Sequence, residues 1–459
     1  MQSPSLRLLE PTDTLYVGID VSKERCIAGL LSNRLLLAHR RFERCPTLTF
    51  EQSRTGFAAL LRGITRMHTC AQTVVLLEST GHYHKALVSF LLEHGIEVYI
   101  IHVQKRASSM LKSDKYDALS LALHLYNTLE KQIQITDKTQ RIRRAHPDAP
   151  MTLYLARLAQ HRVELVSEST RRRNKLTAIC DEIFPEYNQV FRDVNAQVAL
   201  SYRIAFPTPA ALAGASIDAL CALRPHNFPS NKQVATLADL AASSIGVRDP
   251  GHLRGLLLEQ SLLIDELILL RRHLEHIEAE MIAAIEGSRE GRIVTSIPPI
   301  GPIQAASILA CIGSIDKFER AAELKAYAGW APRWAQTGTS MDHMSLSSNG
   351  NRLFKQTIFL VAMNATHTEC EWQRLYERLV PLKCSYDART KQYTGRLKVI
   401  GRVAGEIVEM IFRLLKRDAT MLAALPAGAV PPPPELYDAS RHASRGQGQG
   451  RKEERIKQA

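Results

Sequence analysis

At 459 residues and 51.3 kDa, with 45% hydrophobic and 23% charged residues, the chain is too long for one ordinary domain and reads as two or three globular ones. Lys and Arg number 59 against 46 Asp and Glu, and the resulting formal charge of +13 favours a polyanionic partner such as nucleic acid over an acidic ligand. Eight scattered cysteines, with no Cys-x-x-Cys, exclude a disulfide frame and a zinc site, and no apolar run approaches the roughly eighteen residues of a membrane span. A cytoplasmic protein is expected.

The first strands form a meander: TLYVGIDV (14–21), RCIAGLLS (25–32) and RLLLAHRRF (34–42) are short β-rich runs with tight connections. A helix over 56–64 follows, then the strand TVVLLES (73–79), a helix from His82 to His94 closed by Gly95, and the strand IEVYIIH (96–102). Three adjacent strands followed by β-α-β crossovers predict a mixed sheet covered by helices. KSDKYDALSLA (112–122) then opens another helix.

From Met151 the pattern becomes all-α. Leu155, Leu158, Leu165, Leu176, Ile179 and Ile183 form one stripe, and Leu263, Leu267, Leu270, Leu274, Ile277 and Met281 a second, as in a helical hairpin or a coiled-coil seam. The spacing allows either packing within one chain or a dimer. Between Asp137 and Lys175 ten basic residues face four acidic ones, a bias along a helix that suits a phosphate backbone. A third unit starts near Ser296, where SIPPIGPIQAASILACIG places Ile-Gly-Pro between a loop and an Ala-rich helix, in the manner of helix-hairpin-helix DNA contacts. Proline, glycine and charge dominate residues 426–459, which read as a disordered basic tail.

Chemistry concentrates in acids. Asp20 ends the first strand, Glu78 ends the fourth, and Asp114 and Asp117 open the helix after the fifth. Alone, the last two read as a helix cap, with Asp114 at the cap and an acid three residues on. Joined by Asp20 and Glu78 they can meet at one edge of the sheet, where four carboxylates would repel unless cations bound them. Mg²⁺ or Mn²⁺ suits such an all-oxygen site, and a pair of these ions serves phosphodiester cleavage. Lys23 and Lys112 stand near these acids, placed to offset charge or hold a phosphate.

GIDVSK, LLESTG and KSDKYDA, in this order and at these distances, resemble the Asp-Glu-Asp-Asp transposases of the insertion sequence 110 family. AAELKAYAGWAPRWAQTGTS, SSNGNRLFKQTIFLVA and the helical HRVELVSESTRRRNKLTAICDEIFPE extend the similarity over roughly 14–415. The resemblance implies a RuvC-like, RNase H-fold catalytic domain at 14–135, a helical coiled-coil connector at 150–290 and a mainly helical C-terminal transposase domain at 291–425. It assigns Asp20, Glu78, Asp114 and Asp117 to catalysis and metal binding. It also implies a bacterial, DNA-associated recombinase acting on double-stranded donor and target DNA, guided by a structured bridge RNA, in a homodimer or homotetramer.

The family's serine nucleophile has no direct counterpart: in AGWAPRWAQTGTS, Thr337 stands before Gly338 where Ser-Gly is expected, and Ser340 is the other candidate. Two rival readings accompany the recombinase: a hydrolytic junction nuclease using the four acids and water, and a catalytically silent nucleic-acid-binding protein. Tyr154, Tyr187 and Trp334 could stack on bases, although core packing is the role favoured for the first two. No P-loop is present, so ATP is not implicated.

Overall fold

Alternating burial drives the first strands: Leu15, Val17 and Ile19 point to one face of the sheet and Tyr16 to the other. The computed structural model describes residues 13–79, 81–101, 113–131, 142–145, 150–225, 228–337, 341–346, 350–426 and 428–442. The chain divides into two units, residues 1–148 and 149–459.

The first unit holds β1 (Leu15–Asp20), β2 (Arg25–Leu31), α1 (Asn33–His39), β3 (Thr47–Glu51), α2 (Arg54–Thr65), β4 (Thr73–Glu78), α3 (His84–Glu93), β5 (Glu97–Ile101), α4 (Asp114–Leu129) and β6 (Ile142–Arg144). The strands order as β3-β2-β1-β4-β5-β6. β1, β2 and β3 run antiparallel, β4 and β5 join β1 in parallel, and β6 closes the edge antiparallel. This is the mixed, RNase H-like sheet expected. One core packs α2 and α3 on the Leu15–Val17–Ile19 face, and a second packs α4 on the Tyr16–Leu76 face.

One expected strand is a helix. RLLLAHRRF (34–42) supplies α1, because the Ser32 side chain accepts from Leu35 N at 3.2 Å and Asp13 Oδ1 accepts from Asn33 N at 3.1 Å, satisfying first-turn amides. The left-handed Arg40, at φ 61°, ends it. The third strand of the meander is TLTFE instead, paired to β2 from Thr47 to Glu51.

The second unit opens with α5 (Pro150–Ile183), followed by α6 (Gln197–Ala205), α7 (Pro209–Ala213), α8 (Ile217–Ala222) and α9 (Asn231–Ala242), then α10 (Pro250–Glu286). Asp249 caps α10 by accepting from His252 N at 2.7 Å, with Pro250 at the first helical position. Both stripes face inward: Leu155, Leu165, Ile277 and Met281 share one core, and Leu176 and Leu267 share another with Ile264 and Leu200. They therefore pack against each other within one chain.

α11 (Arg289–Thr295) and α12 (Pro302–Ile312) form the helix-loop-helix around Ser296, with Ile297 and Ile300 buried in its loop. Its Gly301 N–H, a candidate phosphate donor, is already taken by Gln304 Oε1 at 2.6 Å. Beyond lie α13 (Ala321–Tyr327), β7 (Pro332–Thr337), β8 (Met341–Leu346), α14 (Arg352–Ala365), α15 (Glu371–Lys383), β9 (Ser385–Asp387), β10 (Gln392–Thr394), α16 (Leu397–Ala423) and α17 (Ala439–His442). α16 buries a broad apolar face, including Val403, Ile407, Ile411 and Leu414, in the same core as α12 and α14. Within the stretch expected to be disordered, residues 428–442 are held: Tyr437 N donates to Ser296 Oγ at 2.9 Å, and Arg289 Nη1 to Pro432 O at 2.6 Å. Residues 443–459 lie outside the described residues.

Candidate active site

The acid-bearing edge of the first unit is built by two residues without side chains. Gly18 on β1 and Gly29 on β2 are direct partners in the ladder. A Cβ on Gly18 would sit 2.2 Å from Ala118 O and 2.2 Å from Ala122 N; one on Gly29 would sit 2.7 Å from Leu119 N. Helix α4 therefore rests in a slot only glycine leaves open. Farther along, the Tyr16 and Tyr126 rings meet edge-on with centroids 5.4 Å apart, and Tyr16 Oη donates to Glu130 Oε2 at 2.5 Å. As β1 runs from Tyr16 to Gly18, α4 runs backwards from Tyr126 to Ala118. Its first turn, with Asp114 and Asp117, is thereby carried toward the Asp20 end of β1.

Alternation supplies the side-chain directions. Tyr16 and Gly18 face α4, so Asp20 projects to the same side; Val74 and Leu76 face it, so Glu78 does too. The parallel register Ile19↔Leu77, continued by one residue, sets Asp20 beside Glu78. Burial first, and then the Asp20 carboxylate, push the Cys26 thiol up against the opposing effect of its hydrogen bond to Ser22 O.

The cap of α4 is Ser113, whose side chain accepts from Tyr116 N at 3.3 Å. Asp114, expected at that position, sits inside the first turn. Capping thus leaves both carboxylates free, and neither makes a side-chain hydrogen bond or ion pair with another described residue. Asp114 is exposed, while Asp20, Glu78 and Asp117 are half-buried. The four share one edge, but among the described residues no three acids, histidines or cysteines stand close enough together to hold a metal ion. The donor set nevertheless fits a hard cation: all are carboxylates, all approach from one side of the sheet, and none is committed to capping. Lys23 is exposed, and Lys112 lies outside the described residues.

The hydroxyl candidates lie in the second unit. Thr337 is the last residue of β7 and pairs with Met341 of β8, so residues 338–340 link the strands. The Thr337 side chain and Ser340 lie outside the described residues, as does the Trp334 side chain. The feet of this hairpin are clamped together. Gly350, at φ 125°, is so close to Gly329 that a Cβ would lie 2.7 Å from Gly329 N. Asn351 N donates to Tyr327 O at 2.8 Å, Asn351 Nδ2 to Tyr327 Oη at 3.1 Å, and Asn351 Oδ1 accepts from Phe354 N at 3.1 Å.

The arginine-rich helix does not offer the free charge its sequence suggests. Arg162 pairs with Glu278 at 2.7 Å, Arg172 with Glu266 at 2.8 Å, Lys175 with Glu259, and Arg173 with Asp193 at 2.6 Å. Most of these partners belong to α10. Tyr187 is buried and donates to Ala199 O at 2.7 Å, which removes it as a base-stacking surface, and exposed Tyr154 donates to Glu280 Oε2 at 2.7 Å.

Comparison with known proteins bears on both units. A DEDD transposase profile described as "Transposase" matches residues 17–185, and a profile described as "Transposase IS116/IS110/IS902 family" matches residues 291–377. Together they cover more than half of the chain. The chain belongs to the IS110 family of transposases. An insertion element IS110 protein of 43.6 kDa from Streptomyces coelicolor is 26% identical over 269 residues, 58% of this chain and 63% of that relative. An insertion element IS116 protein of 44.8 kDa from Streptomyces clavuligerus is 24% identical over 297 residues, 63% of this chain and 71% of its own length. A pilin gene-inverting protein of Moraxella bovis is 22% identical over 356 residues, 76% of this chain and 82% of its own. The first IS110-family match contains Asp20, Glu78, Asp114 and Asp117, and the second contains Thr337 and Ser340.

Proposed function

We propose that the protein is a DNA recombinase of the transposase type, which cuts and rejoins DNA strands using Asp20, Glu78, Asp114 and Asp117 with a hydroxyl from Thr337 or Ser340. The observation that carries this reading is the glycine slot, which directs the first turn of α4 toward the ends of β1 and β4, where the Ser113 cap leaves Asp114 and Asp117 uncommitted. Family membership and a relative named for inverting a pilin gene support it.

Asp20, Glu78, Asp114 and Asp117 would hold Mg²⁺ or Mn²⁺, which supplies Lewis-acid stabilisation of charge on a scissile phosphate. The hydroxyl oxygen bonds to phosphorus as its proton leaves, and the ester bond to the departing strand breaks, freeing a hydroxyl on that strand. Attack by another strand's hydroxyl then restores a phosphodiester and releases the side chain. Since bond energy is kept in the covalent link, no nucleotide hydrolysis is needed. Guidance by a structured RNA, assembly as a homodimer or homotetramer and a cytoplasmic setting belong to the same reading, drawn from the resemblance.

The test separates this from a hydrolytic nuclease. Substitution of both Thr337 and Ser340 by Ala abolishes the covalent protein–DNA adduct and strand exchange while binding persists; undiminished exchange would overturn the covalent step. Sequencing RNA that copurifies with the protein tests guidance: one discrete structured RNA is expected, and its absence under gentle conditions defeats that part.

A further inference from the structure

Beyond residue 377, where the family match ends, the chain carries six basic residues between Lys383 and Arg402 (Lys383, Arg389, Lys391, Arg396, Lys398 and Arg402) and one acid, Asp387. This stretch forms the β9–β10 hairpin and the helix ends beside it, with Lys383 closing α15 and Lys398 and Arg402 on α16. Asp387 does not neutralise its neighbours: its carboxylate is turned into the hairpin's own turn, accepting from Thr390 Oγ1 at 2.8 Å and Arg389 N at 2.9 Å. Those two bonds hold the Asp387 carboxyl below its ordinary range, so it stays a turn-forming anion. Arg402 pairs with Glu406, and Arg396 donates to Tyr393 O. Lys383, Arg389, Lys391 and Lys398 are exposed and make no ion pair among the described residues.

An aromatic platform stands among these cations. Tyr386 and Tyr393 are direct cross-strand partners and so share one face, with ring centroids 5.1 Å apart. Half-buried Tyr393 backs Tyr386, which is 56% exposed. An exposed flat ring, braced by a second ring on a hairpin whose turn carries the unpaired cations Arg389 and Lys391, matches a ligand with a π-face and a phosphate backbone. A duplex hides its base faces in the stack; an unpaired strand presents them.

We propose that the β9–β10 hairpin is a docking surface for an unpaired nucleic-acid strand, with a base stacked on Tyr386 and phosphates on Lys383, Arg389, Lys391 and Lys398. It rests on the recombinase reading only for the source of that strand, since strand exchange exposes unpaired DNA and a guide would supply unpaired RNA. Binding is read without cleavage, so failure of the covalent step at Thr337 or Ser340 leaves this test intact.

The experiment is fluorescence anisotropy of the full-length protein with labelled single strands of about 12 nucleotides, as DNA and as RNA, and with the corresponding duplex. Tyr386→Ala weakens single-strand binding about tenfold and duplex binding much less, while Tyr386→Phe keeps wild-type affinity. Arg389→Gln with Lys391→Gln lowers the slope of log affinity against log salt by about 1.4 for single strands. Thermal midpoints stay at the wild-type value, because these side chains are exposed. A loss confined to DNA assigns the surface to the exchanged strand, one confined to RNA assigns it to the guide, and an equal loss identifies a sugar-indifferent site. Wild-type affinity in Tyr386→Ala, an equal loss for single strand and duplex, or displacement of the strand by a polyglutamate peptide at equal charge overturns the proposal.

Discussion

Two stretches of the second unit are rich in arginine and lysine, and the fold treats them in opposite ways. Along α5, Arg162, Arg172 and Lys175 meet glutamates of α10, about a hundred residues away, and are matched across the helical hairpin. In the β9–β10 hairpin the single local acid is absorbed by a turn, and four cations in and beside it remain unmatched among the described residues. Charge counted along a sequence is therefore not charge offered to a ligand. Asp114 and Asp117 of the first unit belong with the unmatched set, since Ser113 takes over the capping that would otherwise have occupied an aspartate.

If unmatched charge is what the molecule reserves for chemistry, removing it should have the largest effect. Asp114→Asn together with Asp117→Asn abolishes cleavage of supercoiled or oligonucleotide DNA while gel-shift binding remains; intact cleavage would return these acids to a structural role. Next comes the slot that places them. Gly18→Val forces α4 off the sheet, costs about 1–3 kcal/mol of stability in denaturant titration and lowers cleavage at temperatures where the protein is still folded. Matched charge should matter least to ligands: Arg162→Ala or Arg172→Ala removes a partly exposed pair worth about 0–1 kcal/mol and leaves nucleic-acid affinity close to wild type. An affinity loss as large as that expected at Tyr386 would break the contrast.

A pH series gives the finest resolution of the matched set. Burial raises the Glu409 carboxyl, but the Lys325 hydrogen bond and the attraction of Lys325 and Arg413 outweigh it and leave the group below its ordinary 4.5. Because the folded value is depressed, its stabilisation is present above about 4.5 and is lost as pH falls through the folded value. Glu409→Gln should lower the thermal midpoint at neutral pH and flatten the acid side of the stability profile; an unchanged acid limb would mean the network contributes nothing.

Much of the fold is legible in the sequence because its signals are local. Alternation marks β1, β2, β4 and β5, and the three-and-four spacing of Leu263 to Met281 marks a helix with one apolar side. RLLLAHRRF misleads because a seven-residue helix shows less than two full turns of its period, so three successive leucines read equally as a strand. What the sequence hides is long-range: Glu266 as the partner of Arg172, Gly29 as the partner of Gly18, and the docking of Tyr437 on Ser296 all depend on topology. The identities of the candidate site residues are readable from motif order, whereas the seating of α4 that orients them is not. The β9–β10 hairpin escapes notice for a simpler reason: its strands are three residues each.

The paired glycines also set terms for anyone who would redesign this enzyme. A groove floor made of bare backbone has no side chain to trim or enlarge, so Gly18 and Gly29 admit no conservative replacement. Variation must enter elsewhere, in loops and, in the second unit, in surface cations such as those of the β9–β10 hairpin. Retargeting libraries that hold those two positions fixed should retain a far larger share of working members than libraries that vary them.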